Sequence, residues 1–160
     1  VLKVVLVHPE IPWNAGNVGR SCAAAGAELH LVAPLGFSLS ERRLRRAGLD
    51  YWERLAPAVH ESLAAFLAAL PADAHVLAFS ADGERTHWRA EFRADSWLVF
   101  GSESRGLPDE LRARWRERLH RVPMAPGARS LNLSSAAAVV LYEASRGLDA
   151  AHWDRSPTRA

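Results

Sequence analysis

The sequence predicts an α/β domain, a parallel sheet flanked by helices. Short, nearly continuous apolar runs recur along the chain, as strands buried on both faces require. Helix-like segments separate these runs. Glycines and polar residues gather just after the strands, where open α/β sheets hold ligands.

The first run is LKVVLV at 2–7. It leads through HPE to NAGNVGR at 14–20, read as a loop opening a helix over 16–26. Asn14 and Asn17 are expected to cap that helix, with Gly16 and Gly19 relieving its first turn. Arg20 then falls on that turn, beside a pocket. LHLVAP at 29–34 is the second strand, and a short helix over 40–47 follows it. A helix over 60–70 precedes the third strand, HVLAFS at 75–80. The fourth strand, WLVFG at 97–101, enters FGSESRGLP, whose Pro108 suits the start of a helix over 108–118. The fifth, HRVPM at 120–124, passes through VPMAPGARSLNLSS into an alanine-rich helix over 132–146. Asn132 or Ser130 can cap that helix. Residues 1–150 are expected to form a single domain, and 151–160 a polar tail.

At 160 residues and 49% apolar content the chain can bury one ordinary core. No apolar run approaches the ~20 residues of a membrane span. The N-terminal run lacks the basic flank and cleavage site of a signal peptide, so a cytoplasmic protein is expected. Cys22 is the sole cysteine, which excludes an intrachain disulfide framework and a multi-cysteine zinc site. It reads as a small buried hydrophobe.

The net charge is only +2, yet the basic residues are lopsided. Lys3 is the one lysine, so a P-loop or Schiff-base lysine has no candidate elsewhere. The rest are arginines, whose planar forks suit phosphates and bases. ERRLRR at 41–46 and RARWRER at 112–118 fit either solvated helix faces or nucleic-acid contacts.

Several standard chemistries fail. Gly16 and Gly19 give G-x-x-G rather than the G-x-G-x-x-G of dinucleotide folds. In GSESRG, Gly101 lies three residues before Ser104, not the two of a nucleophile elbow. The seven histidines show no metal spacing, so no metal is predicted.

Taken together, three segments resemble the SPOUT class of RNA methyltransferases, and within it the small bacterial enzymes of the tRNA wobble nucleotide. The first motif is Asn14, Asn17 and Arg20. The second is Gly101, Glu103, Arg105, Gly106 and Leu107, after a strand. The third is Val122-Pro123-Met124 followed by Arg129-Ser130-Leu131-Asn132-Leu133-Ser134. RRLRRAGLDYW at 42–52 also resembles a stretch of the wobble subgroup. The resemblance covers about residues 2–147, and no motif anchor is missing.

The resemblance implies a SPOUT-type sheet with a C-terminal trefoil knot and a homodimer sharing its active sites. It also implies S-adenosyl-L-methionine as cofactor and 2'-O-methylation of cytidine or uridine 34 in tRNA. Phe79, Gly101, Glu103, Val122, Ser130 and Leu131 are the implied cofactor residues. Arg20, Asn14, Ser130 and Asn132 are the implied catalytic set. A guanidinium keeps its proton in proteins, so Arg20 is read as a clamp on phosphate and developing alkoxide rather than as a base. Arg42, Arg43, Arg45, Arg46 and Arg105 are expected to grip tRNA, with salt-dependent affinity. Trp52 or Tyr51 could stack on a base or pack in the core. Met124 is expected in the core or lining the pocket. Alternatives are a ribose methyltransferase of ribosomal RNA or another tRNA position, a non-catalytic RNA-binding protein, and an enzyme of a small molecule.

Overall fold

The computed structural model describes residues 1–39, 52 and 55–148. The expected helix over 40–47, Arg42, Arg43, Arg45, Arg46, Tyr51 and the 151–160 tail lie outside the described residues.

The chain runs β1 (Lys3–Val7), α1 (Pro12–Ala25), β2 (Glu28–Val32), β3 (Ala58–His60), α2 (Leu63–Ala69) and β4 (Val76–Phe79). It continues with β5 (Arg85–Thr86), β6 (Trp97–Phe100), α3 (Asp109–Arg114), β7 (Leu119–Arg121) and α4 (Leu133–Ser145). Single 3-10 turns cover His87–Arg89 and Arg116–Arg118. Among the described residues the seven strands form one parallel sheet in the order β3-β2-β1-β6-β4-β7-β5.

Both faces of the sheet are covered, which explains the continuous apolar runs. Val4, Leu6, Leu29, Leu31, Leu98 and Phe100 face α1 and α4, where Val18, Cys22, Val140 and Leu141 complete one core. Val5, Val7, Val32, Val76 and Val99 face the other way, onto Phe66, Leu111 and Trp115. Fully burying one such side chain stabilises the fold by about 1.5–3 kcal/mol. Among the described residues no helix is long and apolar enough to cross a membrane.

Four expected strands form close to their expected bounds, the fifth runs over Leu119–Arg121 and stops short of Val122–Met124, and two edge strands join them. β3 and β5 are three and two residues long and partly exposed, so neither carries an apolar run. The helix expected over 108–118 is α only to Arg114, then tightens into a 3-10 turn.

Helix α1 corrects an expectation. It starts at Pro12, with Ile11 as its N-cap and no side-chain cap bond. Asn14 and Asn17 therefore sit inside the helix and do not cap it. Proline fits the first helical position, where a missing N–H is no loss. Arg20 shifts accordingly, from the expected first turn to about the third.

Candidate active site

The site lies beyond the C-terminal ends of β1, β4, β6 and β7. There a cavity of about 590 Å³ opens between the loops. Strand β4 delivers Phe79, which stacks on Phe100 of β6 with centroids 5.1 Å apart. These rings, with Val122, Met124, Leu131 and Leu133, give the cavity apolar walls. Ser80, Asp82, Arg105, Arg112 and Ser130 supply its polar lining.

The loop after β6 folds tightly back on itself. Ser102 and Gly106 exchange both backbone hydrogen bonds, at 3.1 and 2.9 Å. A Cβ on Gly101 would lie 2.0 Å from the Gly106 carbonyl carbon, so this position must be glycine. Gly106 takes a left-handed φ of 68°, the conformation glycine adopts without a Cβ penalty. The hairpin presents Glu103 to the start of α1.

Glu103 braces the backbone just ahead of α1. Its Oε2 accepts the Glu10 N–H at 2.7 Å, and its Oε1 accepts the Ile11 N–H at 3.1 Å. Oε1 also accepts the Asn14 side-chain amide at 2.9 Å. A carboxylate at a helix N-terminus is further favoured by the helix dipole. Glu10 returns the bond: its carboxylate accepts the Ser104 hydroxyl at 2.6 Å and the Ser104 N–H at 3.2 Å.

The chain of contacts continues into the third segment. The Asn14 oxygen accepts the Asn132 amide at 2.9 Å. The Asn132 oxygen accepts the N–H and the hydroxyl of Ser134, at 2.9 and 2.7 Å, and so caps α4. One relay, Glu103–Asn14–Asn132–Ser134, thus ties all three sequence segments together. It also fixes which way each carboxamide points, since the carboxylate can only accept.

The sequence-derived residues fall into groups. Phe79, Gly101, Glu103, Val122, Ser130 and Leu131 all line the one cavity, as do Asn14, Asn132, Arg105 and Met124. Glu103 spends its carboxylate on α1, not on the cavity alone. Arg20 does not line this cavity; it lies on the exposed side of α1, displaced by the earlier helix start. Trp52 is half-buried in the core, with its ring 3.0 Å from where a Cβ on Gly19 would sit. Cys22 is fully buried, and burial pushes its thiol up to about 12.

Sequence reasoning gave no site role to Ser80 or Asp82, and read Arg112 only as part of the RARWRER cluster. The Ser80 hydroxyl donates to Asp82 at 2.5 Å, and Arg112 forms an ion pair with the same carboxylate. The Ser80 bond, then the Arg112 bond, holds the Asp82 carboxyl below the usual range. The available signal was position alone: ADG directly follows a strand end. Among the described residues no cluster of three or more metal-ligating side chains exists.

The SpoU rRNA Methylase family pattern matches residues 1–142. A tRNA (cytidine(34)-2'-O)-methyltransferase of Burkholderia cenocepacia is 51% identical over 148 residues, covering 91% of this chain and 95% of its own. A solved structure concerned with 2-OH methylation of C/U34 on tRNA superposes with a TM-score of 0.87 at 54% identity. It covers 91% of this chain and 94% of that one. An AdoMet-bound rRNA methyltransferase from Sinorhizobium meliloti superposes with a TM-score of 0.77 at 29% identity, over 92% of this chain and 57% of its own.

Proposed function

This chain belongs to the SpoU rRNA methylase family, and from that membership we propose that it methylates the ribose 2'-OH of nucleotide 34, cytidine or uridine, in tRNA. The methyl donor is S-adenosylmethionine. One observation carries the reading: three distant segments close around a single cavity, in a chain half identical to a nucleotide-34 methyltransferase.

The cavity suits the donor. Its volume lies within the ~300–1,000 Å³ of small-molecule sites. The stacked Phe79 and Phe100 with Val122 and Leu131 offer apolar cover for a purine, and Gly101 and Gly106 leave the loop backbone uncovered by side chains. S-adenosylmethionine supplies a methyl group already activated by a sulfonium. The protein's part is to hold and aim. Orientation alone accounts for about 7–11 kcal/mol of barrier reduction in favourable cases.

Each residue then has a role. Phe79, Gly101, Val122, Ser130 and Leu131 hold the donor. Glu103 fixes the start of α1 and the amide of Asn14. Asn14 and Asn132 position the polar edge of the cavity, and Ser130 lies beside them on its wall. Arg20 clamps the target phosphate and the developing alkoxide charge. Because Arg20 lies outside the cavity of its own chain, a second copy completing the site is part of the reading. Val139 and Tyr142, three residues apart on α4 and about half exposed, form an apolar strip that supports such a homodimer. Arg42, Arg43, Arg45, Arg46 and Arg105 grip the tRNA backbone. The reading includes one domain over 1–150, a C-terminal trefoil knot and action in the cytoplasm.

The test is methyl transfer from labelled donor to bulk tRNA, followed by nuclease mapping. Label as a 2'-O-methyl at nucleotide 34 is expected. Label only at another tRNA position, or only in ribosomal RNA, would replace the substrate and keep the enzyme. No transfer and no donor binding would leave an RNA-binding protein.

A further inference from the structure

The cavity has a charged end that neither the motifs nor the relay uses. Asp82 and Arg112 line it and pair with each other. Glu103, the other lining carboxylate, is taken up by two backbone N–H groups and Asn14. We propose that Asp82 and Arg112 form the subsite for the amino-acid end of the methyl donor, the carboxylate of Asp82 taking its ammonium and the guanidinium of Arg112 its carboxylate. This rests on the donor-binding reading above and adds its polar half.

Three features support it. First, the apolar walls lie at Phe79, Phe100, Val122 and Leu131, so a nucleoside there leaves its zwitterionic tail needing one acceptor and one donor of opposite charge. The Asp82–Arg112 pair is that combination. Second, the loop bearing Asp82 is built rather than loose. The Ser80 N–H bonds the His120 carbonyl at 2.9 Å, and the Gly83 N–H closes onto the Ser80 carbonyl at 3.1 Å. Arg121 donates to the carbonyls of Gly83 and Glu84, both at 2.7 Å. A Cβ on Gly83 would meet the His120 carbonyl carbon at 2.5 Å, so the turn is pressed against β7. Third, the pair is partly exposed, at 57% for Asp82 and 34% for Arg112. Exposed ion pairs contribute little, so opening this one costs little. A zwitterion replaces one ion pair by two, with no charge left unmatched.

The test compares two ligands by calorimetry on the intact protein: S-adenosylhomocysteine, and 5'-methylthioadenosine, which keeps the nucleoside and thioether but lacks the amino-acid tail. Wild type is expected to bind the first more tightly. Asp82→Asn and Arg112→Gln should each weaken S-adenosylhomocysteine about tenfold, as loss of a charge-assisted bond would, and leave methylthioadenosine within about twofold. The unchanged methylthioadenosine affinity also certifies that each variant is folded. Equal loss for both ligands, no loss for either, or equal wild-type affinity for the two would overturn the subsite. If wild type binds methylthioadenosine but the variants change nothing, donor binding stands and the subsite alone falls. If wild type binds neither ligand, the donor reading fails and the subsite with it.

Discussion

The Asn132 amide donates to the Asn14 oxygen at 2.9 Å, across 118 residues of sequence. That bond joins the start of α1 to the start of α4, and Glu103 continues it at 2.9 Å on the far side of Asn14. The cavity's polar edge is therefore one connected unit, whose members should fail together.

Glu103→Gln tests the unit. A glutamine has one acceptor oxygen where the carboxylate has two, and its NH2 would confront a backbone N–H. One half-buried donor is left unmet, at a cost of about 1–3 kcal/mol. Urea unfolding should show that loss. Asn14→Ala should cost less when Glu103→Gln is already present, because the two share one network. Strict additivity of the two losses would sink the idea of a connected unit.

Gly101→Ala should be far more damaging than an average glycine substitution. The new methyl would sit 2.0 Å from the backbone of Gly106, which has no flexible side chain to move aside. Backbone must shift, and overpacking of this kind costs about 1–3 kcal/mol or more. Thermal unfolding should register a lower midpoint, accompanied by loss of S-adenosylhomocysteine binding. A variant that kept both would show the hairpin to be looser than its hydrogen bonds suggest.

Histidines should make the fold acid-sensitive. His30 lies 3.0 Å from His60, Nδ1 to Nε2, stacked on it and beside Trp97. Burial, then the His60 charge, lowers the His30 value, and the Glu28 carboxylate opposes this only in part. Burial lowers His60, His75 and His120 as well. With folded-state values below the ordinary ~6.5, the unfolded chain binds more protons in that window. Stability is then fully present above about pH 6.5 and is lost as pH falls below it. Unfolding midpoints between pH 7.5 and 5.5 should drop, and His60→Asn should flatten the slope. A pH-independent midpoint would contradict the assignment.

Cys22 should be inert in the folded protein. It is fully buried in the α1 core, and burial pushes its thiol up to about 12. Since the thiolate is the reactive form, an aromatic disulfide reagent at pH 8 should label it only after unfolding. Rapid native-state labelling would mean that α1 opens locally.

The legible parts of the sequence were those where local pattern and tertiary environment agree. β1, β2, β4 and β6 are buried on both faces, and their apolar runs say so. The edge strands β3 and β5 carry no such run, since solvent reaches them and pairing alone defines them. The start of α1 misled for a physical reason: Asn14 and Asn17 have the chemistry of caps, but the helix begins earlier, at Pro12, and Asn14 gives its amide to Glu103, 89 residues away. The cavity walls were legible because each motif follows a strand end. The pairing of Asp82 with Arg112 was not, since nothing local in ADG or RARW points to the other.

The most direct test of nucleotide-34 methylation uses two tRNA transcripts that differ at one atom. One carries ribose throughout; the other has a 2'-deoxy sugar at nucleotide 34 alone. With labelled donor, the first should accept a methyl group and the second should accept none. Equal labelling of both would contradict ribose methylation at that nucleotide.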